Sequence, residues 1–195
     1  MIGFNADLQK QAQLLHEILK QNIILYSVIE KARDLGIKNY YIGAGCVTQT
    51  VWNYQTNNSL THGVSDIDFV YFDADLSYEK EDETIKHINS ELNASELKLD
   101  VKNQARVHLW YKDHFGYAVK PYQSLEDAVN SWPTTATAVG VRLCKSGLKI
   151  YAPFGLNDMF GMIVKPNKAQ ITEEIYNQKV RKWQSKWAEL KITEW

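Results

Sequence analysis

The chain has no long apolar run, no surplus of either charge and almost no cysteine. Its longest purely apolar stretches are a few residues, such as Ile23-Ile24-Leu25. That is far short of the ~20 residues a membrane-spanning helix needs, so no membrane partner is expected. The opening segment, Met1 to Gln13, lacks the basic-then-apolar layout of a secretory signal, and a cytoplasmic protein is expected. Lys plus Arg (22) nearly cancel Asp plus Glu (23), for a net charge of −1. Neutralising phosphates dominates general nucleic-acid affinity and usually leaves a basic excess. RNA binding is therefore not expected of the chain as a whole, although a local basic patch stays open. Cys46 and Cys144 are far apart, with no C-x-x-C spacing. They read as small buried hydrophobes rather than a disulfide or a zinc site.

What is present is ordinary globular composition, 45% hydrophobic and 23% charged over 195 residues. It suits one domain with its own core. Helical spacing over 7–35 predicts one bent helix or two, joined near Asn22, with Gly36 as a stop. Asn39 to Ile42 reads as a strand running into the tight turn Gly43-Ala44-Gly45, followed by a short helix over Cys46–Tyr54 and a polar loop over Gln55–Ser65. Asp66–Phe72 reads as a strand entering a core, Glu79–Leu92 as a surface helix and Glu96–Val101 as a further strand. Periodicity leaves Ala105–Tyr111 open between helix and strand. Ser124 begins a capped helix ending by Trp132-Pro133, Ala138–Leu143 and Leu148–Ala152 form a hairpin, Leu156–Val164 reads as a short helix, and Thr172–Leu190 as a long one. No repeat, low-complexity segment or linker divides the chain.

The most informative residues are Ser65-Asp66-Ile67-Asp68-Phe69-Val70-Tyr71-Phe72. In a strand, residues two apart point the same way, so Asp66 and Asp68 project together while Ile67 and Phe69 pack on the other face. Two carboxylates about 6–7 Å apart along the backbone can converge on one hard cation. Magnesium commonly binds through one or two carboxylates plus substrate phosphates. Without a cation the like charges repel. An acidic pair of this kind is short and common, and an exposed strand edge would also carry it.

The order of features narrows the chemistry. Here the apolar run follows the acids, which places them at the beginning of the strand behind a glycine-containing loop. That order resembles the DNA polymerase β-type nucleotidyltransferases: strand, glycine turn, helix, then a D-h-[DE]-h strand and a third acid on a later strand. Tyr41-Ile42-Gly43-Ala44-Gly45 supplies the strand and turn, Asp66 and Asp68 the pair, and Asp100 in Leu97-Lys98-Leu99-Asp100-Val101 the third acid. In such a site two divalent ions ~3.5–4 Å apart polarise the α-phosphate, activate an attacking hydroxyl and stabilise departing pyrophosphate. A glycine turn lets backbone amides at the next helix approach an anion, although G-A-G alone is also an ordinary strand-to-helix turn.

More specific landmarks follow. They are Ser65-Asp66-Ile67-Asp68 with Val70-Tyr71-Phe72-Asp73, Val101 through Tyr111, Trp132-Pro133 with Thr135 through Arg142, and Ala152-Pro153-Phe154-Gly155-Leu156-Asn157-Asp158. On these the chain resembles, from about Tyr40 to Asn167, a bacterial family of small nucleotidyltransferase-like proteins related to the head domain of CCA-adding enzymes. The resemblance implies an α+β fold: a nucleotidyltransferase-type mixed sheet flanked by helices, with a core over about 37–167 and helices near 7–35 and 172–190 packed on it. It implies Asp66, Asp68 and Asp100 as catalytic, metal-binding acids for Mg2+ or Mn2+. Gly43, Ala44, Gly45, Ser65 and Arg106 are the expected contacts to a nucleoside triphosphate. Two departures stand out. Related enzymes carry two adjacent glycines and then an Arg-Asp or Arg-Asn pair, where this chain has Ala44-Gly45 and Thr48-Gln49.

Arg106 suits a phosphate, and a structural ion pair is its alternative. His108 reads as a core or hydrogen-bonded histidine. The segment 165–195 holds seven Lys or Arg against four Glu, with Trp183, Trp187 and Trp195. Basic charge among aromatics can mark single-stranded nucleic-acid binding. Tyr176, Val180, Trp183, Trp187 and Leu190, however, recur at helical steps, and docking on the domain is the main expectation. The function expected is metal-dependent transfer of a nucleoside monophosphate from a triphosphate to an unknown acceptor (small molecule, protein or RNA). The alternative is a non-catalytic nucleotide or metabolite binder on the same fold.

Overall fold

The computed structural model describes residues 1–92 and 97–195. The expected strand over Glu96–Val101 begins in the undescribed stretch, and Glu96 lies outside the described residues. Helices α1 (Leu8–Gln21) and α2 (Ile23–Ala32) open the chain. Asn22 forms the join: its Oδ1 accepts from the Leu25 amide and its Nδ2 donates to Thr50 Oγ1 at 2.9 Å in the core. One buried amide thus caps α2 and ties it to the rest of the domain.

A mixed five-stranded sheet follows, in the order β3-β2-β1-β4-β5. Its strands are β1 (Tyr40–Gly43), β2 (Asp66–Tyr71), β3 (Lys98–Asn103), β4 (Gly140–Cys144) and β5 (Gly147–Tyr151). Strands β2 and β3 run parallel, and the other pairings are antiparallel. The alternation expected of β2 is realised. Ile67, Phe69 and Tyr71 join the main core with Leu15, Ile29 and Val51, and Tyr40 stacks on Phe69 at 5.0 Å. The helices on that side include α3 (Gly45–Gln55) and α4 (Tyr78–Leu92). Asp66, Asp68 and Val70 face the other way. Val70 and Tyr41 pack there against Leu125 and Val129 of α6 (Leu125–Asn130), after α5 (Val107–Phe115). The sheet is therefore covered on one face, while on the other the apolar rows stop short of the acids.

The ambiguous segment at Ala105–Tyr111 is helical: a 3-10 turn over Gln104–Arg106 leads into α5. Two expectations fail. The helix read over Leu156–Val164 exists only as α7 (Asn157–Phe160), and Ile163–Val164 is strand β6. Met162 sits at φ 53°, a left-handed conformation that ends helical continuation. The long terminal helix is α8 (Glu173–Gln184), and the chain then turns so that Lys191–Ile192 (β7) pairs with β6. The turn seats Trp187, which is fully buried and donates its indole N–H to Asn53 Oδ1 at 2.7 Å. Side-chain burial there overrides the helical periodicity. None of the described helices is long and apolar enough to cross a membrane.

The β1–α3 turn carries a local anomaly. Gly43 is obligatory for packing, since a Cβ there would lie 2.3 Å from the Val139 carbonyl oxygen. Ala44 adopts φ 56°, ψ −129°, a region that glycine enters freely and L-residues rarely. Its amide donates to the Val139 carbonyl at 2.9 Å, which holds it there. Ala44→Gly is therefore expected to stabilise the protein. Relief of strain of about 1–3 kcal/mol outweighs the added unfolded-state entropy of glycine, leaving a net gain of about 1 kcal/mol. A higher urea midpoint at unchanged slope would verify it, and a lower midpoint would contradict it.

Candidate active site

The acids open onto a cleft of about 540 Å3, a size typical of small-molecule sites. Its walls come from several elements. Ala44, Gly45 and Gln49 line it from the β1–α3 turn, and Ser65, Asp66 and Asp68 from the start of β2. Trp110 and Tyr111 of α5, with Trp132, form an aromatic part. Lys179, Lys182 and Lys186 line it from the C-terminal segment, and Lys102 from β3.

Strand register brings the third acid close. Asp68 pairs with Asp100 across the β2–β3 ladder and with Gly43 across β1–β2. Asp68 is half-buried, and its carboxyl is pushed up to about 7. Burial is the main cause, and Asp66 and Asp100 add like-charge repulsion. Lys102 and Lys179 oppose it without cancelling it. Lys179 is itself held below the usual lysine range, first by burial and also by Lys182, with Asp68 and Asp66 pulling the other way. Ser65 Oγ donates to Asp66 Oδ1 at 3.1 Å. Cys46 is buried behind the turn, its Sγ 3.0 Å from the Gly43 carbonyl, and burial pushes its thiol up. It is inert packing behind the cleft.

The sequence-derived candidates therefore divide. Asp66, Asp68, Ser65, Ala44 and Gly45 meet in one cleft. Gly43 lies behind the wall, where its lack of a side chain admits the β4 backbone. Asp100 stands beside Asp68, but its carboxylate is bonded to Lys102 Nζ. Arg106, expected near a triphosphate, is elsewhere: its guanidinium pairs with Glu81 of α4, both side chains largely buried, over the Tyr78 ring. The ion-pair alternative is what forms, because the 3-10 turn after β3 points Arg106 toward α4. Arg142 is likewise structural, bonded to the Lys38 carbonyl above Tyr41. At the departure from the related pattern, Thr48 Oγ1 donates to the Ala136 carbonyl at 2.8 Å. Gln49 Oε1 is buried in the wall with no hydrogen-bond partner among the described residues, an unused acceptor that a ligand donor would satisfy.

A model of a nucleotidyltransferase family matches residues 30–192. The chain belongs to that family. The chain also resembles a protein whose NMR structure is described as revealing a CCA-adding enzyme head domain. The two are 28% identical, the alignment covers 94% of this chain and 96% of that one, and the TM-score is 0.75. A tRNA-processing enzyme in an apo form gives a weaker likeness, at 15% identity and TM-score 0.46 over 85% of this chain and 44% of the other, which bears on neither fold nor function. No curated protein matches the chain.

The lysines are the part of the site that the sequence pattern did not announce. Lys179, Lys182 and Lys186 recur at steps of three and four, so they form a stripe beside the apolar one. The apolar stripe docks in a second core of Trp52, Tyr176, Val180 and Trp187. That docking turns the basic stripe onto the cleft, and Lys186 Nζ donates to the Gly63 carbonyl at 2.9 Å. The spacing was visible in the sequence, but its destination depends on tertiary docking. Among the described residues, no three His, Cys, Asp or Glu side chains converge closely enough to cage a metal ion. A cation here would rest on the Asp66–Asp68 pair and on phosphate oxygens, a donor set magnesium accepts.

Proposed function

We propose that the protein transfers a nucleoside monophosphate from a nucleoside triphosphate to an acceptor hydroxyl, with a divalent cation bound at Asp66 and Asp68. The observation that carries this reading is the shared cleft: an acidic pair, a strand-to-helix turn and a lysine stripe face one space. Bound Mg2+ or Mn2+ would supply Lewis-acid stabilisation of charge on the phosphates. Asp66 and Asp68 would bind it by their shared orientation. Gly45, at the head of α3, would bring its backbone amide and a favourable helix end toward phosphate oxygens, while the Ala44 amide stays on the Val139 carbonyl. Lys179, Lys182 and Lys186 would neutralise the polyphosphate, and Trp110 and Trp132 offer faces to a base. In the transfer, the acceptor oxygen bonds to the α-phosphorus as pyrophosphate leaves, and the hydroxyl proton passes to solvent water.

A second reading has its own support. Lys102 occupies the Asp100 carboxylate, and Thr48-Gln49 replaces the usual arginine-containing pair. Both suit a protein that binds nucleotide without transferring it. Tryptophans in the cleft allow a direct test by fluorescence, with ATP, CTP, GTP and UTP titrated against protein with and without Mg2+. At least one triphosphate is expected to bind in a Mg2+-dependent way, and Asp68→Ala is expected to abolish that dependence. Equal, metal-independent weakness for all four in wild type and variant would refute the proposal. Tight binding without pyrophosphate release across varied acceptors would favour the second reading.

A further inference from the structure

We infer that the Lys102 ammonium stands in place of a second divalent cation at Asp100, so that the cleft takes a single cation on Asp66 and Asp68. The inference rests on the metal-binding reading above. In-register parallel pairing sets Asp68 beside Asp100. Lys102 lies two residues further along β3, so it projects from the same face. Its Nζ is bonded to Asp100 Oδ2, and it is Lys102 rather than Asp100 that lines the cleft. Two-ion chemistry needs carboxylates shared between ions ~3.5–4 Å apart. Asp68 and Asp100 are the neighbours that could share in this way. An ammonium already on Asp100 removes the negative charge that would draw a second ion, and it meets that ion with like charge. Lys102 is thus a positioning residue: it holds the Asp100 carboxylate fixed at the edge of the site.

Mn2+ titration followed by electron paramagnetic resonance tests this without any turnover. Wild type is expected to bind one Mn2+ per chain, with the spectrum of an isolated ion. Lys102→Met is expected to bind two, with the broadened spectrum of an exchange-coupled pair, because Asp100 is then free to share a second ion with Asp68. Lys102→Arg keeps the charge and is expected to stay at one. Lys102→Gln serves as a second neutral variant should the methionine variant fold poorly. Two ions in wild type, or one in both neutral variants, would overturn the role of Lys102 while leaving the Asp66–Asp68 site intact. No ion in any of these proteins would overturn that site, and this inference with it.

Discussion

Asp68→Asn is expected to make the metal-free protein more stable at pH 8, by on the order of 2–4 kcal/mol, and to cost it its stabilisation by Mg2+. The direction follows from linkage. The folded carboxyl titrates near 7, while an unfolded aspartate titrates near 3.8. Between those values the folded state holds more protons, so stability falls as pH rises through that window and the full cost is present above it. The groups facing Asp68 set the balance. Asp66 and Asp100 repel it, Lys102 and Lys179 attract it, and burial outweighs both lysines. Asparagine keeps the shape and removes the buried charge. Its advantage should be greatest at pH 8 and should disappear below about pH 4, where aspartate is protonated in both states. Chemical unfolding at pH 4, 6 and 8 measures this directly. A less stable variant at pH 8 would mean that the lysines dominate and that the acids are a structural ion cluster rather than a charge held ready for a cation.

Trp187→Ala is expected to destabilise the fold severely and to disturb the cleft with it. The indole is fully buried against Trp52 and donates to Asn53 Oδ1. Large-to-small truncation of a buried aromatic costs about 3–5 kcal/mol, and a buried acceptor left without its donor adds about 1–3 kcal/mol. The route to the cleft runs through two neighbours. Asn53 also donates to the Leu60 and His62 carbonyls, which shapes the loop leading to Ser65 and Asp66. Lys186 is next to Trp187 in the chain, and Lys179 and Lys182 ride on the helix it anchors. Trp187→Phe keeps most of the buried area and loses the hydrogen bond, so a smaller loss of about 1–2 kcal/mol is expected. Urea midpoints rank the three proteins, and near-equal midpoints would deny the tail its structural role.

How far the sequence could be read differs by element. The β2 alternation was legible because one face of that strand is apolar and its register cannot slip without burying two carboxylates. Asn22 was legible as a join because an uncharged cap between two apolar stripes has few other uses. The C-terminal segment was legible only to Gln184. Beyond it the spacing of Trp187 and Leu190 remains helical, yet a tryptophan seeking Asn53 and a strand seeking β6 determine the path, and both partners are distant in sequence. The same limit hid the site lysines. Lys102 sits two residues from Asp100, but whether a lysine lies on a strand's wet or occupied face depends on what covers that face. Arg106 shows the reverse case, in which a good phosphate ligand by type is consumed by Glu81, a partner no local pattern announces.

The central claim is that Asp66 and Asp68 gather a divalent cation in the cleft between the β1–α3 turn and the lysine stripe. Paramagnetic broadening of assigned amide signals by substoichiometric Mn2+ tests it most directly. The account predicts that signals of Ala44, Gly45, Ser65, Asp66 and Asp68 vanish first, and that Asp68→Asn leaves them sharp. Broadening centred instead on exposed acids such as those of α4, unchanged by Asp68→Asn, would contradict it.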